Sequence, residues 1–184
     1  MEDIFLETDR IVLKELEPED LHLFADLDSD PVVMTYLNGG RPSTPEEIRA
    51  GFDRSFALKE KHQKRFGLWI AFLRDSNEFI GWFLFRPDKK LPDDVKNIEL
   101  GYRLKKKFWG KGYATEVSRA LVDLGFEKYR LDSVFAVALV GNIGSQAVMK
   151  KVGMDRVREY VESDFSGESK LAVRYELKRE DWEK

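Results

Sequence analysis

The chain has 184 residues, of which 42% are hydrophobic, and this length and composition suit a single domain with a sizeable core. Its net charge of −3 argues against a dedicated nucleic-acid binder, and the absence of cysteine excludes disulfides, thiolate metal ligands and a cysteine nucleophile. We expect a cytoplasmic protein with no membrane or metal partner, because there is no signal pattern, no apolar run near ~20 residues and no histidine cluster.

Hydrophobic periodicity and turn residues predict a strand, three helices and a hairpin in the first half of the chain. In order, these are the strand Arg10–Leu16, a helix from Pro18 to about Leu27, a short helix over Asp30–Leu37, a long polar helix from Thr44 to about Lys64, and the hairpin strands Leu68–Leu73 and Phe79–Phe85. A charged loop, 87–96, then leads to the next strand.

The most informative segment is a strand, 98–104, that runs through Gly110 and Gly112 into an amphipathic helix. No Ser, Thr, Asp or Asn caps that helix, so its free N–H groups and its positive dipole end suit a phosphate. An ordinary tight turn is the alternative for such a glycine pair. The dinucleotide fingerprint is excluded because Thr115 stands at its third glycine, and a P-loop is excluded because Tyr113 follows Gly112.

The remaining elements alternate between strands and a helix. They are a continuous apolar strand, Val134–Val140, a helix that begins at Asn142 and stops at Gly153, and two further strands, Arg156–Glu162 and Lys170–Leu177. The apolar run is typical of a buried strand that pairs in parallel.

Three ordered motifs of this sequence resemble the GNAT superfamily of N-acetyltransferases. The acyl-CoA motif [Q/R]-x-x-G-x-[G/A] is similar to 107–112, with Lys107 replacing the usual Gln or Arg. The signature N-x-x-S-x-x-V-x-x-K-x-G matches Asn142, Ser145, Val148, Lys151 and Gly153. The opening 6–14 is similar to the L-x-T-x-R-L-x-L-R start of the ribosomal-protein acetyltransferase (RimJ/RimL-like) branch. The resemblance spans nearly the whole chain.

The resemblance implies an α/β fold and a single domain over residues 1–184. Its sheet would be mixed and mostly antiparallel, splayed in the middle, with helices on both faces. The strand of Tyr102–Leu104 would separate from the strand Val134–Val140, and the pantetheine arm of the cofactor would lie in the gap. Main-chain N–H groups of the splayed strand would be available to the thioester oxygen.

The resemblance also implies acetyl-CoA as the co-substrate. The residues expected to bind it are Tyr102, Arg103, Leu104, Trp109, Gly110, Lys111, Gly112, Tyr113, Ala114, Thr115, Asn142 and Ser145. The three lysines at 105–107 are interpreted as a solvated strand end, with attraction of the CoA phosphates as the alternative.

Two residues are the candidates for catalysis. Glu99 is the expected general base, and its alternative is a carboxylate paired with Arg103 on the same strand face. Ser145 is expected to contact the CoA sulfur and to protonate it, and its alternative is a structural residue in the first turn of a helix capped by Asn142. Met149 stands where many GNAT enzymes carry a tyrosine as general acid, and methionine cannot donate a proton.

The acceptor is expected to be an amine, either a peptide or protein N-terminus or a small molecule. Its pocket should be built by the Asp30–Leu37 helix, the loop 38–41, the hairpin and the final strands. The acidic pair at 93–94 could attract a cationic amine, although a charged loop is usually only solvated. A non-catalytic acyl-CoA-binding module is the alternative function, and a homodimer is compatible with either.

Overall fold

The computed structural model describes residues 4–184, which form one eight-stranded sheet and six α-helices. The strands are β1 Ile4–Glu7, β2 Ile11–Glu15, β3 Gly67–Leu73, β4 Phe79–Pro87, β5 Asn97–Leu104, β6 Ser133–Leu139, β7 Asp155–Val161 and β8 Leu171–Lys178. The helices are α1 Leu21–Asp28, α2 Pro31–Asn38, α3 Pro45–Lys61, α4 Tyr113–Glu127, α5 Ile143–Lys151 and α6 Arg179–Trp182. None of these helices is both long and apolar enough to cross a membrane.

The sheet is mixed and splays open between its two central strands. The strand order is β1-β2-β3-β4-β5-β6-β8-β7, and β5 with β6 is the parallel pair among antiparallel neighbours. Their pairing covers only 97–99 against 133–135, so the two strands separate after Glu99. The predicted fold class, a mostly antiparallel sheet splayed in the middle, is confirmed.

Hydrophobic cores lie on both faces of the sheet. Side chains alternate along β4, so Phe83 and Phe85 pack on the side of α4, whereas Trp82 and Leu84 face α1 and α3. The first of these cores is the larger and also includes residues of α5, such as Met149. Helices on both faces of the sheet were predicted. Because side chains also alternate along β5, its polar side chains face α1 and α3.

Helix α4 is held rigidly beneath the open part of the sheet. Val117, Leu121 and Phe126 lie on its inner face and are fully buried. Burial of each such side chain contributes about 1.5–3 kcal/mol relative to exposure. Because β5 leads into α4 through only eight residues, this packing fixes the glycine turn beside the separated strands.

Three elements differ from the sequence prediction. The strand β1 was not predicted, nor was the single turn of α6, because four residues are too few to show a periodicity. Phe5 of β1 stacks on Trp69, with 3.8 Å between the ring centroids. Helix α3 ends at Lys61 rather than near Lys64, since Gln63 and Lys64 adopt positive φ angles of 50° and 64°.

Candidate active site

A cavity of about 500 Å³ lies between β5, the glycine turn and the N-terminal ends of α4 and α5. It collects eleven of the twelve predicted cofactor residues: Tyr102, Arg103, Leu104, Trp109, Gly110, Gly112, Tyr113, Ala114, Thr115, Asn142 and Ser145. Lys111 is not part of its lining, and the Lys111 ammonium lies 5.4 Å from the ring centroid of Phe108. We call this space the turn cavity.

The glycine turn has the geometry of an anion site. Gly110 and Gly112 adopt left-handed φ angles of 74° and 84°, which favour glycine. A Cβ at Gly110 would meet no atom within 4 Å, so the backbone there is open to a ligand. Gly112 is the N-cap of α4 and provides no side-chain acceptor for the N–H groups of the first turn. These groups and the dipole of a 15-residue helix can therefore bind a phosphate.

Arg10 ties the first strands to this turn, a role that was not predicted from the sequence. Its guanidinium donates to the Lys111 carbonyl at 3.0 Å and to Glu116 of α4 at 2.6 Å. The Thr8 hydroxyl also donates to Glu116, at 2.6 Å. Burial acts to raise the pKa of Glu116, but the hydrogen bonds from Thr8 and Arg10 hold that pKa below its ordinary value. The T-x-R pattern of the opening motif was the available signal for this contact.

A second cavity of about 730 Å³ adjoins the first and is lined by α1–α3, β4, β5, β7 and β8. The segments predicted to build an acceptor pocket all contribute to its lining, together with residues of α1, α3, β5, β6 and α5. Glu99 lies in this cavity and not in the turn cavity. Tyr102, Arg103 and Ser145 line both, so they mark the junction between the two spaces. We call the second space the acceptor cavity.

Glu99 makes an ion pair, but not with the partner that the sequence suggested. Arg86 lies opposite Glu99 in the β4–β5 register and donates two hydrogen bonds to its Oε2, at 2.6 and 3.1 Å. Arg103 instead pairs with Asp28 at the end of α1. The alternative that paired Glu99 with Arg103 is wrong, because Arg103 lies opposite Trp82 and its side chain reaches across the sheet face to Asp28 of the helix.

Ser145 lies at the start of α5, where the predicted cap is present. The Asn142 side chain accepts a hydrogen bond from the Ser145 amide at 3.1 Å. The Tyr102 hydroxyl donates to Ser145 Oγ at 3.5 Å. Burial raises the pKa of Tyr102 and the bond to Ser145 opposes that rise only in part, so this hydroxyl keeps its proton. Met149 is buried in the same region and offers no proton.

The sequence identified Tyr102 only as a cofactor-binding residue. The contact between its hydroxyl group and Ser145 joins two residues that are 43 positions apart in the chain. Contact between them depends on how α5 packs against β5, for which no local pattern exists.

The lysines at 105–107 and the acidic pair at 93–94 lie outside the two cavities. Lys105 pairs with Asp26 and Lys107 with Glu78, which agrees with a solvated strand end. Asp93 pairs with Lys61 and is not part of the acceptor cavity. Within residues 4–184, no group of three or more His, Asp or Glu side chains could hold a metal ion.

Comparisons with known proteins agree with this geometry. Residues 10–155 match the family model of the acetyltransferase (GNAT) domain. The chain is 32% identical to an FsC-acetyl coenzyme A-N(2)-transacetylase of Aspergillus fumigatus over 96% of this chain and 77% of that protein. A GNAT-family acetyltransferase from Bacillus anthracis has a similar fold, with a TM-score of 0.79 at 24% identity over 96% of this chain and 99% of that one.

A structure of RimL, the ribosomal L7/L12 α-N-protein acetyltransferase, in complex with coenzyme A also has this fold. Its TM-score is 0.78 at 16% identity, over 96% of this chain and 98% of that one.

Proposed function

The chain belongs to the GNAT acetyltransferase family, and we propose that it moves the acetyl group of acetyl-CoA to a primary amine by direct attack in a ternary complex. The observation that carries this proposal is the junction of the two cavities, where Tyr102 and Ser145 line both spaces and Glu99 lines the acceptor side. A thioester at this junction would face an amine that enters from the acceptor cavity.

The turn cavity would hold the co-substrate. The left-handed Gly110 and Gly112 and the uncapped start of α4 would bind the pyrophosphate. The gap between β5 and β6 beyond Glu99 would take the pantetheine arm, because the backbone there has lost its sheet partner. Main-chain N–H groups on that edge of β5 would stabilise the negative charge that develops on the carbonyl oxygen.

Glu99 is proposed as the general base. It would take a proton from the acceptor ammonium, directly or through a water, so that the neutral amine forms the new N–C bond. Arg86 holds the carboxylate by two hydrogen bonds to Oε2, which leaves Oε1 as the oxygen that meets the acceptor. The carboxylate is partly exposed, with 23% of the side chain accessible, so a ligand in the cavity can reach it.

Ser145 is proposed to protonate the departing thiolate when the C–S bond breaks. The Tyr102 hydroxyl, which donates to Ser145 Oγ, would replenish that proton. A thiol with a pKa near ~8.5 leaves readily even without an acid, so this pair assists departure rather than enabling it. The site therefore lacks the tyrosine acid that Met149 replaces, and the proposed reaction does not require it.

The acceptor is proposed to be a peptide N-terminus or a small-molecule amine. The relative at 32% identity is named for transfer to an N(2) nitrogen, which favours nitrogen as the acceptor atom. A non-catalytic acyl-CoA-binding module is the competing function, and turnover distinguishes the two.

The direct test is to incubate the protein with acetyl-CoA and a panel of small amines and peptides. Release of free CoA thiol together with an acetylated product, identified by mass spectrometry, is the expected result. Acetyl-CoA binding with no product from any acceptor would favour the binding module. Failure to bind acetyl-CoA would overturn both functions.

A further inference from the structure

The acceptor cavity carries an excess of positive charge. Eight basic and six acidic side chains line it, although the net charge of the whole chain is −3. A cleft that is more basic than the rest of the molecule attracts anions and raises their local concentration.

Every one of the six acidic side chains is already paired with a basic side chain of the same lining. Glu99 with Arg86, and Asp28 with Arg103, are the pairs nearest the junction of the cavities. The charge of each carboxylate is therefore compensated by a cation of the protein, so the lining has no surplus negative charge for a polycation, while Oε1 of Glu99 stays open to a single amine.

Two arginines of the lining are left without an acidic partner. Among residues 4–184, neither Arg54 of α3 nor Arg158 of β7 makes an ion pair with Asp or Glu. Arg158 is held only by a cation–π contact, with its guanidinium carbon 4.8 Å from the ring centroid of Tyr160. Both side chains are exposed, so they lie where a ligand can reach them.

The position of Arg158 is unfavourable without an anion. It lies directly opposite Arg174 in the β7–β8 register, and like charges in opposed positions of an antiparallel pair repel each other. Arg174 is compensated by Asp88 and Glu176, whereas Arg158 is not. On α3, Arg54 lies between Gly51 and Leu58 at helical spacing, on the one face of the helix that lines the cavity.

We propose that the acceptor is an amine that also carries a carboxylate, bound by Arg54 and Arg158 while its amino group reaches Glu99. Guanidinium groups match carboxylates with paired N–H donors, which favours arginine over lysine for this purpose. The proposal rests on the proposed function, since it names the acceptor class of the same site. A cavity of about 730 Å³ is large enough for a small acceptor or for the first residues of a peptide.

The test compares pairs of acceptors that differ only in the replacement of carboxylates by amides. The small-molecule arm uses γ-aminobutyrate and ε-aminocaproate against their primary amides, and the peptide arm uses amidated Ser-Glu-Glu against amidated Ser-Gln-Gln. Spermidine serves as the cationic acceptor. We expect kcat/KM to be about 10-fold or more higher for the carboxylate in at least one arm, because hydrogen bonds to charged groups are the strong ones. The arm with the larger carboxylate-to-amide ratio of kcat/KM shows whether the acceptor is a small molecule or a peptide.

The double variant Arg54→Gln/Arg158→Gln should bring the carboxylate-to-amide ratio close to one. The matched control is Arg49→Gln, which removes an arginine of the same helix that pairs with Asp53 outside the cavity and should keep the wild-type ratio. Equal kcat/KM for acids and amides, a preference for spermidine, or an unchanged ratio in the double variant would each overturn the proposal.

A binding measurement keeps the test independent of turnover. Glutarate, which has no amino group, should bind to the protein saturated with CoA, and glutaramide should not; calorimetry of both ligands measures this difference. The double variant should lose glutarate binding. If glutarate binds and no acceptor is acetylated, the proposed function fails while the charge recognition stands. If glutarate does not bind and no carboxylate acceptor is preferred, the present proposal fails.

Discussion

Arg86 and Glu99 lie directly opposite each other on β4 and β5, and the guanidinium donates both of its hydrogen bonds to one oxygen of the carboxylate. Phe135 of β6 lies opposite Glu99, and Glu176 of β8 lies opposite Phe135, so these residues form one row across the sheet. The parallel pairing of β5 with β6 ends at this row. Glu99 is therefore fixed at the point where the sheet opens, which is where a base for the proposed reaction is needed.

Substitution of Glu99 by Gln should abolish most turnover and leave cofactor binding intact. Gln keeps the shape of the side chain but cannot take a proton, and loss of a general base typically lowers the rate by about 10²- to 10⁴-fold. Steady-state kcat and the calorimetric Kd for acetyl-CoA measure the two effects. Glu176→Gln, which removes a carboxylate paired with Arg174 in the same row, is the matched control. A Glu99→Gln enzyme with wild-type kcat would remove Glu99 from the mechanism.

Substitution of Tyr102 by Phe should lower kcat by about 10-fold, less than is typical for a direct acid because Ser145 remains. The KM for acetyl-CoA should change little, since the aromatic ring is retained. Burial raises the pKa of Tyr102, so the hydroxyl stays protonated where an ordinary tyrosine begins to ionise near pH 10. The wild-type kcat should therefore not fall through ionisation of Tyr102 as the pH rises to that value. A Tyr102→Phe variant with unchanged kcat at every pH would contradict its role.

Substitution of Arg10 by Ala should raise the KM for acetyl-CoA by about 10-fold, equivalent to about 1.4 kcal/mol. The reason is that Arg10 links Glu116 to the Lys111 carbonyl and so fixes the glycine turn. The kcat should stay close to that of the wild type. Arg156→Ala, at an exposed position of β7, is the control. An unchanged KM in Arg10→Ala would show that the turn holds its shape without this contact.

Glu116 should make the stability of the protein depend on pH in acid. Because its folded-state pKa lies below the ordinary value of 4.5, it stabilises the fold fully above that pH. This contribution is lost as the pH falls through the lower, folded-state value. Urea unfolding between pH 3 and 7 measures the effect, and Glu116→Gln should show a flatter acid limb than the wild type. Parallel curves for the two proteins would contradict the assignment.

The parts of the site that follow from neighbouring residues could be predicted from the sequence. Gly110 and Gly112 predicted an open turn because no other residue adopts positive φ so easily, and Asn142 predicted the cap at Ser145 three residues later. Both features depend on local backbone chemistry alone, and the structure contains both.

The ion pairs could not be predicted in the same way. Glu99 shares a strand face with Arg103, which suggested a pair four residues apart, but the register of β4 brings Arg86 closer. On its other edge, β4 pairs with β3 through a register that shifts next to Gly81, and such shifts are set by tertiary packing rather than by local pattern. The partner of Arg103, Asp28, comes from a helix 75 positions earlier in the chain.

The most direct test of the account is calorimetric titration of acetyl-CoA into the wild type, Gly110→Glu and Gly153→Glu. Gly110 and Gly153 are both left-handed, with φ angles of 74° and 95°, and neither would place a Cβ closer than 3.8 Å to another atom. The two variants therefore carry similar backbone strain, but only Gly110 lines the turn cavity.

We predict that the wild type and Gly153→Glu bind acetyl-CoA and that Gly110→Glu loses at least about 10-fold in affinity, because its carboxylate would repel the phosphates. No binding by the wild type, or equal affinity of all three proteins, would contradict the assignment of the glycine turn as the phosphate site.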